Sequence, residues 1–387
     1  MKIQHAQLNV YLKRIVLLMI LGGISGCGTV GYYAQAVGGH LSLMSKRESL
    51  EKVMASEDTD PEIKRKLEML RDARAFAVDK LSLPQNKSYT TFVKTGKKFI
   101  TWNVVATPEF SMVPKQWCFP VAGCVLYRGY FAESRAQSYE ATLKEQGFDT
   151  QLGGASAYST LGWFNDPLMD TMLRGSDIRL VGLIFHELAH QVLYIKDDSS
   201  FNEAFATFVE QQGSREWLAA QGREDTLPLF EAYLQRQLDF NDLLQVTRAD
   251  LVDLYKDASA PTANELDASV TEDLRERKQA VFTTMLARYD TLKSERWDNF
   301  TGYDNWFKKE MNNARLIAVS TYLKWVPAFA AMFDEVGDDF EAFYALAKEV
   351  SAKSYDERQA LLVEYLGGEP STGATEASSF GATDSSN

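Results

Sequence analysis

Phe185-His186-Glu187-Leu188-Ala189-His190-Gln191, joined twelve residues beyond His190 by Asn202-Glu203-Ala204-Phe205-Ala206, is the stretch on which the rest of the reading depends. Its first part has the form H-E-x-x-H. On a helix, histidines at i and i+4 project from one face, with room for a metal between their imidazoles. Glu187 follows the first histidine directly, placed to reach a water beside the metal and act as a general base. Upstream, Gly175-Ser176-Asp177 marks a helix start with Ser176 as N-cap. Val181, Ile184, Phe185, Leu188 and Val192 then form an apolar stripe that anchors this helix in the core.

A catalytic zinc takes three protein ligands and keeps one position open. The chain has four histidines, of which His5 and His40 lie far upstream of the pair. The third ligand is therefore expected to be a carboxylate, with Glu203 the natural choice. A turn through Asp197, Asp198 and Ser199 can fold a second helix back to present it. Asn202 and Glu210 are the candidates for orienting the ligands. The competing readings are plain ones. Ser200-x-x-Glu203 is also a capping-box pattern, and a histidine pair on an apolar helix can be ordinary core.

The run from His186 to His190, with Phe201-Asn202-Glu203-Ala204-Phe205-Ala206-Thr207-Phe208-Val209-Glu210, resembles the zinc helices of the gluzincin metallopeptidases. Its second half is similar to the N-E-G-F-A-x-x-x-E segment of the large zinc aminopeptidases. The resemblance implies an α+β, mainly α fold: a small antiparallel sheet beside the zinc helices and a helical C-terminal region. The spacer of twelve residues between His190 and Glu203 is shorter than in those enzymes. Their G-x-M-E-N stretch, whose Glu grips the substrate amine, has no counterpart.

At the N-terminus, Lys2, Lys13 and Arg14 precede a short apolar run, Ile15 to Ile24, too short to span a bilayer. Ile24-Ser25-Gly26-Cys27 resembles a bacterial lipobox, which implies removal of residues 1–26 and lipidation of Cys27; an ordinary signal peptide is the alternative. Gly28 after the cysteine implies an outer-membrane address facing the periplasm. Without Lys2, Lys13 and Arg14 the balance is 38 basic against 53 acidic residues, or −15, which argues against nucleic-acid partners. An apolar content of 45% with 12% aromatics indicates a well-packed chain.

Residues 27–40 are small and Gly-rich and read as a tether; 41–215 read as the sheet and zinc-helix region, 216–366 as a helical region closing the cleft, and 367–387 as a disordered tail. Leu43, Leu50 and Met54 predict one helix across Lys46-Arg47-Glu48, and Pro61 opens another. Tyr89 to Val93, Phe99 to Val105 and Cys124 to Tyr127 read as strands. Cys118 and Cys124 are expected to pair in an oxidising compartment, closing a hairpin-like loop; two buried free thiols are the alternative. Gly153 to Phe164 precedes the zinc helix, where gluzincins place an edge strand along the cleft. Ala157, Tyr158 and Ser159 then carry the substrate-pairing role, against the alternative of a Gly-rich turn.

Phe230, Tyr233, Leu234 and Leu238 keep helical spacing, and Ala268 to Trp297 forms a long charged helix. Asn312-Asn313-Ala314-Arg315-Leu316-Ile317, continuing to Tyr322, places polar groups in an apolar helix. By the gluzincin resemblance Tyr322 would stabilise a developing oxyanion; a core tyrosine is the alternative.

Together the lipobox, the cysteine loop, 158–164, the zinc motif and 312–322 resemble a family of proteobacterial lipoproteins labelled as predicted aminopeptidases. That implies a zinc-dependent peptidase, an aminopeptidase, acting on peptides at the envelope through a lipid anchor. The alternatives are an endopeptidase or cell-wall amidase, and a non-catalytic lipoprotein with structural zinc. An aminopeptidase needs a carboxylate for the substrate ammonium, for which Asp166 and Asp170, following the proposed edge strand, are candidates; the alternative is that they cap the segment leading to the zinc helix.

Overall fold

The computed structural model describes residues 31–119, 123–157, 160, 164–256, 266–320 and 323–367. Residues 31–44 form helix α1. They are not a tether: Tyr32 stacks on Phe119 at 5.6 Å, and the Gln35 carboxamide accepts a hydrogen bond from the Phe131 amide. Next come β1 (Glu48–Ser49) and α2 (Leu50–Ala55). The single helix expected through Leu43, Leu50 and Met54 is thus broken. Glu48 and Ser49 are drawn into pairing with Phe92 and Thr91, and Ser49 caps α2 by accepting from the Lys52 amide. Helical spacing survives such a break because both short helices face the same core.

Helix α3 (Pro61–Asp79) starts where Asp60 accepts the amides of Glu62 and Ile63, with Pro61 where no amide is needed. Strands β2 (Thr91–Val93), β3 (Thr101–Pro108), β4 (Trp117–Phe119), β5 (Gly123–Val125) and β6 (Arg128–Tyr130) follow, then α4 (Glu133–Glu145), β7 (Phe148–Ala155) and β8 (Leu168–Met169). They make three small sheets, where one was expected. Order β6-β3-β7 is antiparallel, with β7 paired to β3 from Phe148 to Ala155. Order β1-β2-β8 contains a parallel pair, β2 with β8. The third is the β4–β5 hairpin, in which Cys118 faces Cys124 and is disulfide-bonded to it.

The rest is helical: α5 (Asp177–Ala189), α6 (Ser199–Ala220), α7 (Leu227–Tyr255), α8 (Ala268–Glu295), α9 (Asp304–Phe307), α10 (Asn313–Ser320), α11 (Val326–Glu335), α12 (Phe340–Ser351) and α13 (Tyr355–Tyr365). No helix among the described residues is long and apolar enough to cross a membrane.

The two largest of four apolar clusters among the described residues hold most of these layers, and neither respects the expected boundary at 215/216. The larger joins α3, α5 and α6 to α11–α13. Phe205 stacks on Phe343 at 5.7 Å, and Phe201 meets Phe329 edge-on at 5.0 Å. Each such buried ring contributes roughly 1.5–3 kcal/mol, so the C-terminal helices fix the back of α6. The second core joins Val105 and Phe110 of the sheet region to α7, α8 and α10. Asn312 and Asn313 supply its polar seams. Asn312 Nδ2 donates to the Thr150 carbonyl, and the Asn313 amide donates to the Asp149 carboxylate. Burial raises the Asp149 carboxyl despite the Lys278 ammonium 2.6 Å away.

Candidate metal centre

Helix α5 carries the two histidines of the candidate centre. Ser176 occupies the N-cap position, although its side chain makes no cap hydrogen bond. Val181, Ile184, Phe185 and Leu188 are buried, while Val192 packs at the edge of the core. The helix stops at Ala189, and His190 is its C-cap, its amide donating to the His186 carbonyl. The two imidazoles still share a face, Nε2 to Nε2 at 3.2 Å.

The connection to α6 is pinned at several points. Asp197 has φ 67°, a left-handed conformation that Asp tolerates, and its carboxylate accepts the Cys124 amide of the disulfide hairpin. Asp198 caps α6 by accepting the Phe201 amide and pairs in the interior with Arg358 of α13 at 2.8 Å. Asn202 does not orient a ligand side chain. Its carboxamide accepts the Ile195 amide and donates to the Ile195 carbonyl, both at 2.7 Å, closing the turn. Because Asp198 caps the helix, Glu203 is free of the capping-box role and turns toward the histidines.

Glu203 Oε2 lies 3.4 Å from His186 Nε2 and 3.8 Å from His190 Nε2. Glu210, two turns further along the same face, sets Oε2 3.1 Å from His186 Nδ1. A carboxylate there fixes the proton on Nδ1 and leaves Nε2 as a ligand. Gly182, one turn before His186, makes room: a Cβ on it would meet Glu210 Cγ at 3.0 Å and Ser214 Oγ at 3.1 Å. His190 is supported differently, its buried Nδ1 having no hydrogen-bond partner among the described residues.

Ligand atoms of His186, His190 and Glu203 all lie within 4.8 Å of one another, the one group among the described residues that could hold a metal ion. A tetrahedral zinc with bonds near 2.0–2.1 Å separates its ligand atoms by about 3.3 Å. The separations of 3.2, 3.4 and 3.8 Å fit that demand without rearrangement. Protonation follows the same geometry. Burial pushes the His186 imidazole down, but hydrogen bonds and charge from Glu203 and Glu210 outweigh it and hold it well above the ordinary range. Burial, then the charge on His186, takes His190 down to about 4. Burial works to raise Glu203, and the two imidazoles overcome it and lower the carboxyl. The surroundings of His186 thus favour its protonated form, with which a metal ion at this group would compete.

A cavity of about 1090 Å³ opens on this group and is lined by His186, Glu187, His190 and Glu203. Its wall includes the open-edge strand β7 at Gly153–Ala155 and then Ala157. Tyr158, Ser159, Tyr322 and Cys27 lie outside the described residues. Tyr127, read in the sequence only as the end of a strand, and Tyr194, with no role assigned there, line the cavity. Burial, then the charges on Glu203 and Asp197, raises the Tyr194 phenol, which stays protonated at neutral pH. Its only local signal is its place four residues after His190.

Asp166 and Asp170 do not reach the cavity wall. Asp166 is buried, accepting the Thr160 amide and hydroxyl. Asp170 accepts the amides of Thr95 and Gly96. Neither caps the segment leading to α5: Asp166 closes a loop on Thr160, and Asp170 makes a long-range contact with the Thr95–Gly96 backbone.

Against known proteins, residues 31–362 match the model of one family, described as Putative aminopeptidase. No curated protein and no solved structure matches the chain.

Proposed function

This chain belongs to the Putative aminopeptidase family, and from that premise we propose a zinc-dependent peptidase that removes residues from the amino end of peptides at the bacterial envelope. The observation that carries the metal dependence is the convergence of His186, His190 and Glu203 within ligand distance of one another at the cavity. Zinc held by these three supplies Lewis acidity, polarising a peptide carbonyl and easing deprotonation of water.

The chain's own groups do the rest. Glu187, next to His186 and exposed to the cavity, takes the proton of the attacking water and returns it to the leaving amine. Glu210 fixes the His186 tautomer through Nδ1. The Tyr194 hydroxyl, kept protonated, and that of Tyr127 are donors for the oxygen on which negative charge develops. The open edge of β7 at Gly153–Ala155, continuing to Ala157, offers backbone groups to an extended peptide. By this proposal the gluzincin resemblance of the zinc motif extends to a helix pair beside a cleft strand. Anchoring at the outer membrane rests on the Cys27 lipobox.

With Asp166 and Asp170 committed elsewhere, the carboxylates on the described cavity wall are Glu187 and Glu203. The exopeptidase reading is tested with two peptides differing only in N-terminal acetylation, incubated with the zinc-loaded protein and followed by mass spectrometry. Stepwise trimming of the free peptide alone supports it. Internal cuts at similar rates in both replace it with an endopeptidase.

A further inference from the structure

Beyond the metal group, the charges on the described cavity wall are all positive: Arg179, Lys309 and Arg315. The acids there are Glu187 and Glu203, both at the metal centre. Arg315 is the unusual member. It sits in α10, is 5% exposed, and forms no ion pair among the described residues. Nη1 donates to Gln151 Oε1 at 3.1 Å and Nη2 to the Trp306 carbonyl at 2.5 Å. The guanidinium lies 4.9 Å from the Trp306 ring centre, and its buried Nε has no acceptor among the described residues. Burial lowers its pKa, but a guanidinium keeps its charge.

An enclosed, unneutralised cation is costly, and proteins normally answer it with a carboxylate. Here the neighbour on β7 is the neutral amide of Gln151, so position and orientation are fixed while the charge is left over. Arg358, the other deeply buried arginine tied to the metal helices, has its carboxylate in Asp198. The contrast points to an anion that the protein does not itself supply. Exposed Lys309, also without an ion pair among the described residues, adds charge at the same wall.

We propose that Arg315, aided by Lys309, forms a carboxylate-binding subsite in the cavity, which takes the C-terminal carboxylate of a short peptide or an acidic side chain. This rests on the peptidase reading and narrows its substrates to carboxylate-bearing peptides small enough to join this subsite to the metal group. Planar, bidentate recognition of a carboxylate is what a fixed guanidinium does best.

The test uses the zinc-loaded Glu187→Gln protein, in which cutting is expected to be about 10²–10⁴ slower, so that binding can be read. Calorimetry compares trialanine, trialanine amide and an amidated tripeptide ending in glutamate. Trialanine is expected to bind about tenfold or more tighter than its amide. If the glutamate peptide recovers that affinity, the acidic side chain is an accepted source; if not, the C-terminal carboxylate is. Arg315→Gln is expected to erase the preference. Lys309→Gln, on the surface, is expected to reduce it even where Arg315→Gln fails to fold. A parent protein that binds acid and amide equally, or neither, overturns the subsite. Hydrolysis is read separately on the unmutated protein. A carboxylate preference without hydrolysis overturns the peptidase reading alone, and hydrolysis of acid and amide at equal rates overturns the subsite alone.

Discussion

Helices α5 and α6 and the 306–319 segment border one cavity, yet they treat charge in opposite ways. On the helices, the buried charges at the metal group have counterparts: His186 lies between Glu203 and Glu210, and Asp198 behind them holds Arg358. On the other segment, the Arg315 charge meets an amide, a carbonyl and an indole ring. The first arrangement is preorganised for a cation that replaces a proton. The second is preorganised for an anion that arrives from outside. A cavity with both at its wall is suited to a ligand with a polarisable carbonyl at one end and a negative group elsewhere.

The comparison breaks most visibly at Glu187. Replacing it with Gln removes the base and no ligand, so hydrolysis is expected to fall by about 10²–10⁴ while bound zinc is unchanged. Parallel assays of rate and metal content check this, and an unchanged rate would remove the role given to Glu187. The two buried arginines give the next largest contrast. Arg358→Ala strands Asp198 in the core and is expected to cost about 3–5 kcal/mol in denaturant unfolding. Arg315→Gln strands no charge and is expected to cost no more than about 1–2 kcal/mol, for its lost hydrogen bonds. Equal losses would mean that Arg315 is a structural ion rather than a ligand group.

A smaller effect is expected at the support of His186. Gly182→Ala drives a methyl group against Glu210, and Glu210→Gln removes its charge. Each is expected to weaken zinc binding about 10–100-fold in competition with a chelator. Affinity unchanged in both would show that the Nδ1 contact does not matter. Acid gives the gentlest perturbation. His186 binds a proton with raised affinity that zinc must displace, so zinc binding is expected to weaken as pH falls, by about tenfold per unit below the His186 pKa. His190, lowered to about 4, adds no proton competition near neutrality. A flat zinc affinity between pH 8 and pH 6, read by the same competition, would contradict the protonated His186.

What the sequence revealed follows the same division. His186, Glu187 and His190 are legible because their spacing is one helical turn, and the turn at Asp197–Ser199 brings Glu203 back within reach. Glu210 was legible because it repeats the face of Glu203. Asn202 was misjudged because proximity in sequence to a ligand does not say whether an amide faces the ligand or the turn. Asp166 and Asp170 looked available only because their partners, at Thr160 and at Thr95–Gly96, are set by loop geometry. Helix α1 was missed because small residues hide a helix whose aromatic contacts, Tyr32 with Phe119, span most of a hundred residues. Arg315 was legible as part of a polar cluster in an apolar helix expected to close the cleft. Its charge at the cavity wall follows from packing of α10 on β3 and β7, and Lys309, just before α10, carried no signal of its own.

The most direct test of the account is the metal content of the protein after purification without chelators. Elemental analysis is expected to find about one zinc per chain, with His186→Ala and His190→Ala emptied and Glu187→Gln filled like the parent. A parent without metal, or histidine variants that keep a full equivalent, would contradict the assignment of His186, His190 and Glu203 as the metal centre.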